Sequence, residues 1–244
     1  GMRKLRGNKV AMIFQEPMTA LNPTRRIGRQ MEDVIRQHRP LNRKQARERA
    51  VELLSDMQIA DPTTVMQRYP FELSGGMRQR VMIALAFSCD PELLIADEPT
   101  TALDVTVQRQ VLRLLKQKAT ATGTAVLFIS HDMAVVSQVC DRLYVMYAGS
   151  VIESGPTAPL LSTPAHPYSA GLLSCSPEGS TPRAELTSIP GTVPNLAKLP
   201  SGCAFRERCF AAGTACGSIP ALQPQTSPAR QVACWYPQPE NPHV

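Results

Sequence analysis

The sequence lacks any apolar run long enough to cross a membrane. Its longest stretches, such as residues 81–87 and 125–129, fall well short of the ~20 residues a spanning helix needs. A secretory pattern is also missing, and Gly1 ahead of Met2 is read as a tag remnant and set aside. Aromatic residues make up only 5% of the chain, and Phe14 is the sole one in the first fifty positions. Those fifty hold 13 Lys/Arg against 4 Asp/Glu, whereas the remainder holds 13 against 16. A basic end invites nucleic acid, but without aromatics it has no platform for stacking bases. A solvated helical face, or a surface near anionic headgroups, accounts for it better. The seven cysteines are odd in number and come with no secretion signal, which argues against a disulfide framework. No Gly-Lys-Ser or Gly-Lys-Thr occurs anywhere, so the usual Gly-rich phosphate cradle is missing. The 244 residues still suffice for a buried core in one large domain or two smaller ones.

What is present centres on residues 71–104. Ser74-Gly75-Gly76 opens a helical pattern. A helix N-terminus leaves N–H groups unpaired and carries about half a positive charge, which suits a phosphate. Glycine allows close approach to the backbone, and Ser74 can cap the helix or bond a phosphate oxygen. Downstream, Leu93-Leu94-Ile95-Ala96 delivers Asp97 and Glu98 to a strand end, where parallel sheets bind their ligands. One carboxylate can serve hydrated Mg²⁺ while its neighbour accepts a proton from attacking water. Singly, a Ser-Gly-Gly is more often a turn and an Asp-Glu pair a solvated loop. Their succession within one stretch gives them weight.

Around this stretch the pattern alternates between strand and helix. Residues 9–14 read as a buried strand ending at Gln15-Glu16-Pro17. Residues from about 27 to 70 turn helical. Asn42 and Gln45 form an expected capping box, with Ala46, Ala50, Leu53, Leu54 and Met57 on one face. Val107, Val111, Leu114 and Leu115 mark a further helix that Gly123 ends. Residues 124–130 predict another buried strand, terminating at His131-Asp132. Residues 142–147 and 150–153 then read as a hairpin around Gly149. Of 22 prolines, 15 lie from Pro156 onward, so the sheet-and-helix domain is expected to stop there. Short helices are expected over 158–161 and 168–173.

These motifs resemble those of the ATPase subunits of ABC transporters. Leu73-Ser74-Gly75-Gly76-Met77-Arg78-Gln79-Arg80 resembles their signature, residues 93–100 their Walker B strand, and Thr101-Ala102-Leu103-Asp104 their D-loop. Phe14-Gln15-Glu16-Pro17 resembles the Q-loop, and Ser130-His131-Asp132 the H-loop. Met18-Thr19-Ala20-Leu21-Asn22-Pro23 and the segments T-P-A-H-P-Y, I-P-G-x-V-P and G-C-A-F-R-E-R-C are similar to oligopeptide and dipeptide importer ATPases. The implied fold is an α/β ABC-ATPase core of the P-loop NTPase kind lacking its N-terminal strands. The expected domains are a partial ATPase domain over 1–155, with a helical subdomain at about 27–90, and a Pro-rich extension over 156–244. The implied cofactors are ATP and Mg²⁺. The resemblance assigns Glu98 as general base, Asp97 and Gln15 as Mg²⁺ ligands, and His131 to the γ-phosphate. Ser74, Gly75, Gly76 and Gln79 would bind ATP across a dimer, with Asp104 linking the two sites. The implied partners are a second ABC ATPase subunit, like or unlike, two transmembrane permease subunits and, indirectly, a periplasmic or lipoprotein substrate-binding protein. Nucleic acid is not expected. The implied location is the cytoplasm, on the inner face of the membrane.

Cys203, Cys209, Cys216 and Cys234 follow the spacing C-x5-C-x6-C-x17-C. It matches neither the tight pairs of structural zinc nor the ferredoxin spacings, so zinc, an iron–sulfur cluster and free thiols all remain open. Relatives of the family with a similar quartet hold a [4Fe–4S] cluster, and the resemblance favours that reading. The missing Gly-Lys-Ser/Thr loop is the main departure from the family. A truncated gene is the favoured account, ahead of a piece of a longer protein or a short subunit. The chain alone is expected to be inactive, with a poorly stable sheet. Rival readings are a silent partner completing another subunit's ATP site, the ATPase of a nickel or glutathione importer, and a soluble ABC protein acting on ribosomes or DNA.

Overall fold

The computed structural model describes residues 2, 5–15, 20–101, 103–175, 188–225, 227 and 229–238. Glu16, Pro17, Met18 and Thr19 of the loop after Gln15, and Ala102, lie outside the described residues. The chain divides into two compact units, Gly1–His131 and Asp132–Val244.

The first unit carries three parallel strands in the order β1 (Val10–Ile13), β2 (Leu93–Asp97) and β3 (Ala125–Ile129). Ile13 sits opposite Ala96, and Asp97 opposite Ile129. Between β1 and β2 run helices α1 (Ile27–His38), α2 (Arg43–Asp56), α3 (Pro62–Val65) and α4 (Gly75–Ala86), and α5 (Val105–Thr122) joins β2 to β3. The helix α2 begins at the expected capping box: Asn42 accepts from the Gln45 backbone while the Gln45 side chain accepts from the Asn42 backbone. Its residues Ala46, Ala50, Leu53 and Leu54 are fully buried against the core that also holds Ile13, Leu94, Ile83 and Leu115. The helix α5 stops at Gly123, whose φ of 66° is the left-handed cap that glycine takes without a Cβ penalty.

The strands differ from their expectation in one respect. They were expected to be buried, but Met12, Phe14, Leu127 and Ile129 are between 40% and 51% exposed. Helices cover one face of the sheet, and the period-2 alternation turns these four side chains the other way. Among the described residues, β3 pairs only with β2. Parallel sheets are normally covered on both faces, so this one is short of cover.

The second unit holds α6 (Met133–Val139), the strands β4 (Arg142–Tyr147) and β5 (Ser150–Pro156), and the helices α7 (Thr157–Ser162) and α8 (Pro167–Ser174). Two short strands, β6 (Gln223–Pro224) and β7 (Gln231–Val232), complete an antiparallel sheet in the order β4-β5-β7-β6. The hairpin expected with the ATPase domain thus pairs with the Pro-rich extension through β5 and β7. The reason is Glu153, which is 1% exposed. Its carboxylate accepts from the backbone N–H of Ala165 at 2.8 Å and of His166 at 2.9 Å, and faces Arg230 Nη2 at 3.4 Å. A buried carboxylate is tolerated only with such partners.

His166, itself 2% exposed, accepts at Nδ1 from the Tyr168 backbone, so it sits in the fold as a neutral ring. Burial lowers its pKa from 6.5 to about 4. Because the folded value lies below the unfolded one, the unfolded chain binds the extra proton first. Stability is therefore full above pH 6.5 and declines as pH falls towards 4, by on the order of 3 kcal/mol. Denaturant unfolding of the second unit, followed between pH 7 and 4, should show this decline. Substituting His166 with Gln should flatten it.

Candidate nucleotide and catalytic site

The parallel sheet brings the C-terminal ends of all three strands to one edge, and the expected chemistry gathers there. Gln15 follows β1, Asp97 and Glu98 end β2, and His131 follows β3. Gln15 Nε2 donates to Glu98 Oε2 at 2.7 Å. The His131 Nδ1 lies 2.8 Å from Glu98 Oε1. Three residues far apart in the chain thus meet on one carboxylate, set there by strand register. The Glu98 N–H donates to the Ile129 carbonyl at 3.0 Å, which ties the end of β2 to the end of β3.

Glu98 has a positive φ of 43°. For a residue with a Cβ this left-handed backbone costs roughly 1–2 kcal/mol, and such strain is held only where surrounding bonds fix it. A third donor reaches the carboxylate from its own turn: Thr101 Oγ1 lies 3.0 Å from Glu98 Oε2. Sequence reading places Thr101 at the start of the D-loop match and assigns it no role. Its signal is weak, a hydroxyl three residues beyond a carboxylate in a Pro-containing turn. The His131 hydrogen bond first, then that of Thr101, holds the Glu98 carboxyl below its ordinary 4.5. A lowered carboxylate keeps its partners above that range and releases them only as pH falls below it. The cluster is therefore complete at neutral pH, with His131 donating through Nδ1–H to an ionised acceptor.

Asp97 is half-buried at the end of β2, and no ion pair engages it among the described residues. Gln15 uses its amide nitrogen on Glu98, and among the described residues no donor reaches its oxygen, the atom that a metal would take. An Asp carboxylate and an amide oxygen at one sheet edge are hard donors that suit Mg²⁺.

A second group forms at the start of α4. Ser74 caps the helix, its hydroxyl oxygen accepting from the Met77 N–H at 3.3 Å. Ser74 and Gly75 are exposed. Gly76 has a packing role as well, since a Cβ there would stand 2.7 Å from Val107 Cγ1. That close approach brings the start of α5 alongside, where Asp104 caps its helix by accepting from the Val107 N–H at 3.0 Å. Gln79, expected at a nucleotide, is 1% exposed in this chain, and its Nε2 has no partner among the described residues. Helical period places it with Met82 and Ile83 on the side of α4 turned to the core.

The four clustered cysteines lie in the second unit. The Cys203 N–H donates to the Cys216 carbonyl at 3.0 Å, and Cys216 is buried. Burial, with the neighbouring cysteines adding to it, pushes the Cys234 thiol up to about 11 and raises that of Cys209. The four sulfurs thus share one neighbourhood. Among the described residues, however, no three His, Cys, Asp or Glu side chains stand close enough to hold a metal ion. Nor, among those residues, is any helix long and apolar enough to cross a membrane.

Comparison with known proteins places the chain. The family described as "ABC transporter" matches residues 1–101, and "Oligopeptide/dipeptide transporter, C-terminal region" matches 152–216. An "AAA domain, putative AbiEii toxin, Type IV TA system" matches 67–137, overlapping the first of these matches. The chain is 70% identical to the probable D,D-dipeptide transport ATP-binding protein DdpD of Escherichia coli K12, over 98% of this chain and 73% of that protein. It is 46% identical to the oligopeptide transport ATP-binding protein OppD of Salmonella typhimurium, over 97% of this chain and 70% of that one. The dimeric structure of MJ0796, a bacterial ABC transporter cassette, superposes with a TM-score of 0.56 at 27% identity, over 64% of this chain and 66% of that one. A chain with this edge of Gln15, Asp97, Glu98 and His131, matched along its length by these proteins, belongs to the ATP-binding subunits of ABC transporters, in the oligopeptide and dipeptide group.

Proposed function

We propose that the chain is the ATP-binding and hydrolysing subunit that energises a membrane importer for dipeptides or oligopeptides. The observation that carries this reading is the meeting of Gln15, His131 and Glu98 at the open end of a parallel sheet. In this reading Glu98 takes the proton of the attacking water, and His131 contacts the γ-phosphate. Asp97 and the Gln15 oxygen would hold Mg²⁺, which when bound would neutralise charge on the transferring phosphoryl group. The exposed Ser74 and Gly75, with Gly76, present the N-terminus of α4 to an ATP held by a second ABC ATPase subunit. Asp104 lies beside that helix start and links the two sites. Two transmembrane permease subunits and, indirectly, a substrate-binding protein complete the importer, with this chain on the inner face of the membrane. The names of the relatives support dipeptides or oligopeptides over nickel or glutathione. Loss of hydrolysis on changing Glu98 to Gln is the test.

The cysteine quartet is proposed to hold a [4Fe–4S] cluster. Soft thiol donors suit iron, and Cys209 and Cys234 are held in a partly buried setting beside the other two cysteines, where burial first and then those neighbours raise their thiols. To bind, Cys203, Cys209, Cys216 and Cys234 must draw closer than they stand. Anaerobically purified protein is expected to be brown and to contain iron, and Cys216→Ser to lose both. A colourless, iron-free protein would remove the proposal.

A further inference from the structure

We infer that Thr101 is the positioning residue that keeps the Glu98 carboxylate aimed when its other two partners leave it. The inference deepens the proposed function and rests on that reading of Glu98, Gln15 and His131.

The three donors on Glu98 differ in where they come from. Gln15 stands beyond β1 and His131 beyond β3, so each reaches Glu98 from a separate strand. Both have other work in the proposed reaction, Gln15 towards a metal and His131 towards a phosphate. Thr101 belongs to the turn that Glu98 itself begins. Its N–H and its hydroxyl both lie 3.4 Å from the Glu98 carbonyl oxygen, and the hydroxyl also reaches Oε2 at 3.0 Å. One residue thereby closes the turn at the strained Glu98 backbone and grips the carboxylate that the turn presents.

Lone-pair arithmetic makes the arrangement useful. An ionised carboxylate has about four acceptor sites. Among the described residues, Oε2 accepts from Gln15 and Thr101, while Oε1 accepts from His131 alone. One site on Oε1 is thus left for the proton of a water. A base needs that free site in a fixed place, and a donor riding on the same turn fixes it without blocking it. Thr101 is itself exposed, so changing it disturbs no core packing.

The test reads the His131 ring in the 244-residue chain by ¹H–¹⁵N correlation of the four histidines. The unsubstituted chain should show the Nδ1–H form of His131 at pH 7.5. Thr101→Val should lose that form, returning the ring to the mixture of tautomers seen in solution. Thr101→Ser should keep it, and Gln15→Ala should keep it as well, since Thr101 remains. Survival of the Nδ1–H form in Thr101→Val would overturn the inference and leave the site reading intact. So would loss in Thr101→Ser, or equal loss in Gln15→Ala. Absence of the form in the unsubstituted chain would overturn both the inference and the reading beneath it.

Discussion

Changing Glu98 to Gln is expected to abolish ATP hydrolysis, lowering the rate by about 10²- to 10⁴-fold, the usual worth of a general base. The measurement is phosphate release from the chain joined to an N-terminal segment that carries a Gly-Lys-Ser/Thr loop. Glutamine matches glutamate in size and keeps one oxygen, which can stand at the Oε2 position and accept from Gln15 and the Thr101 hydroxyl, while its amide nitrogen faces the His131 ring, so the fold of the turn should survive. It cannot take up a proton from water. Nucleotide binding should therefore persist while turnover stops, a fall in kcat with little change in KM. The pattern separates the two readings of the chain. A silent partner that only completes a neighbour's site would lose almost nothing, and a rate within threefold of the unsubstituted protein would favour it.

Titrating the 244-residue chain with Mg·ATP should give no micromolar binding, with any affinity weaker than about 1 mM, or roughly −4 kcal/mol. In P-loop ATPases a run of backbone N–H groups and one lysine make most contacts to the β- and γ-phosphates. This sequence has no Gly-Lys-Ser/Thr to supply them. What remains at the sheet edge is mostly acidic or neutral: Asp97, the ionised Glu98, the Gln15 amide and one imidazole. Four negative charges on a nucleotide find little to hold them there beyond a shared Mg²⁺. A phosphate at the start of α4 would gain only about 1 kcal/mol from one exposed helix N-terminus. Calorimetry showing a micromolar constant would contradict the prediction and point to a phosphate cradle of another kind.

Most of the first unit was legible because its cues are local. The reciprocal Asn42 and Gln45 hydrogen bonds, the Gly123 stop and the strand carrying Asp97 each depend on a few adjacent residues. The meeting of Gln15, Glu98 and His131 was reached through resemblance. Nothing in their spacing says that 83 residues separate a bonded pair. Three features escaped. Gln79 looked polar and available, but helical phase turned it inward. Leu127 and Ile129 looked like core, but only packing decides whether the second face of a strand is covered. The hairpin of β4 and β5 was foreseen, but not its bond to β7, because the ties from Glu153 to Ala165, His166 and Arg230 span up to 77 positions.

That last feature has a consequence in time. Everything that bonds in the three-stranded parallel sheet has been synthesised by residue 129, so the first unit can close while the chain is still growing. The hairpin cannot finish then. Glu153 must wait for Arg230, and β5 for Gln231 and Val232, before its buried carboxylate and open strand edge are satisfied. Closing so long a loop is slow relative to local pairing. The second unit is thus completed only once Arg230, Gln231 and Val232 have been made, up to 77 positions after Glu153.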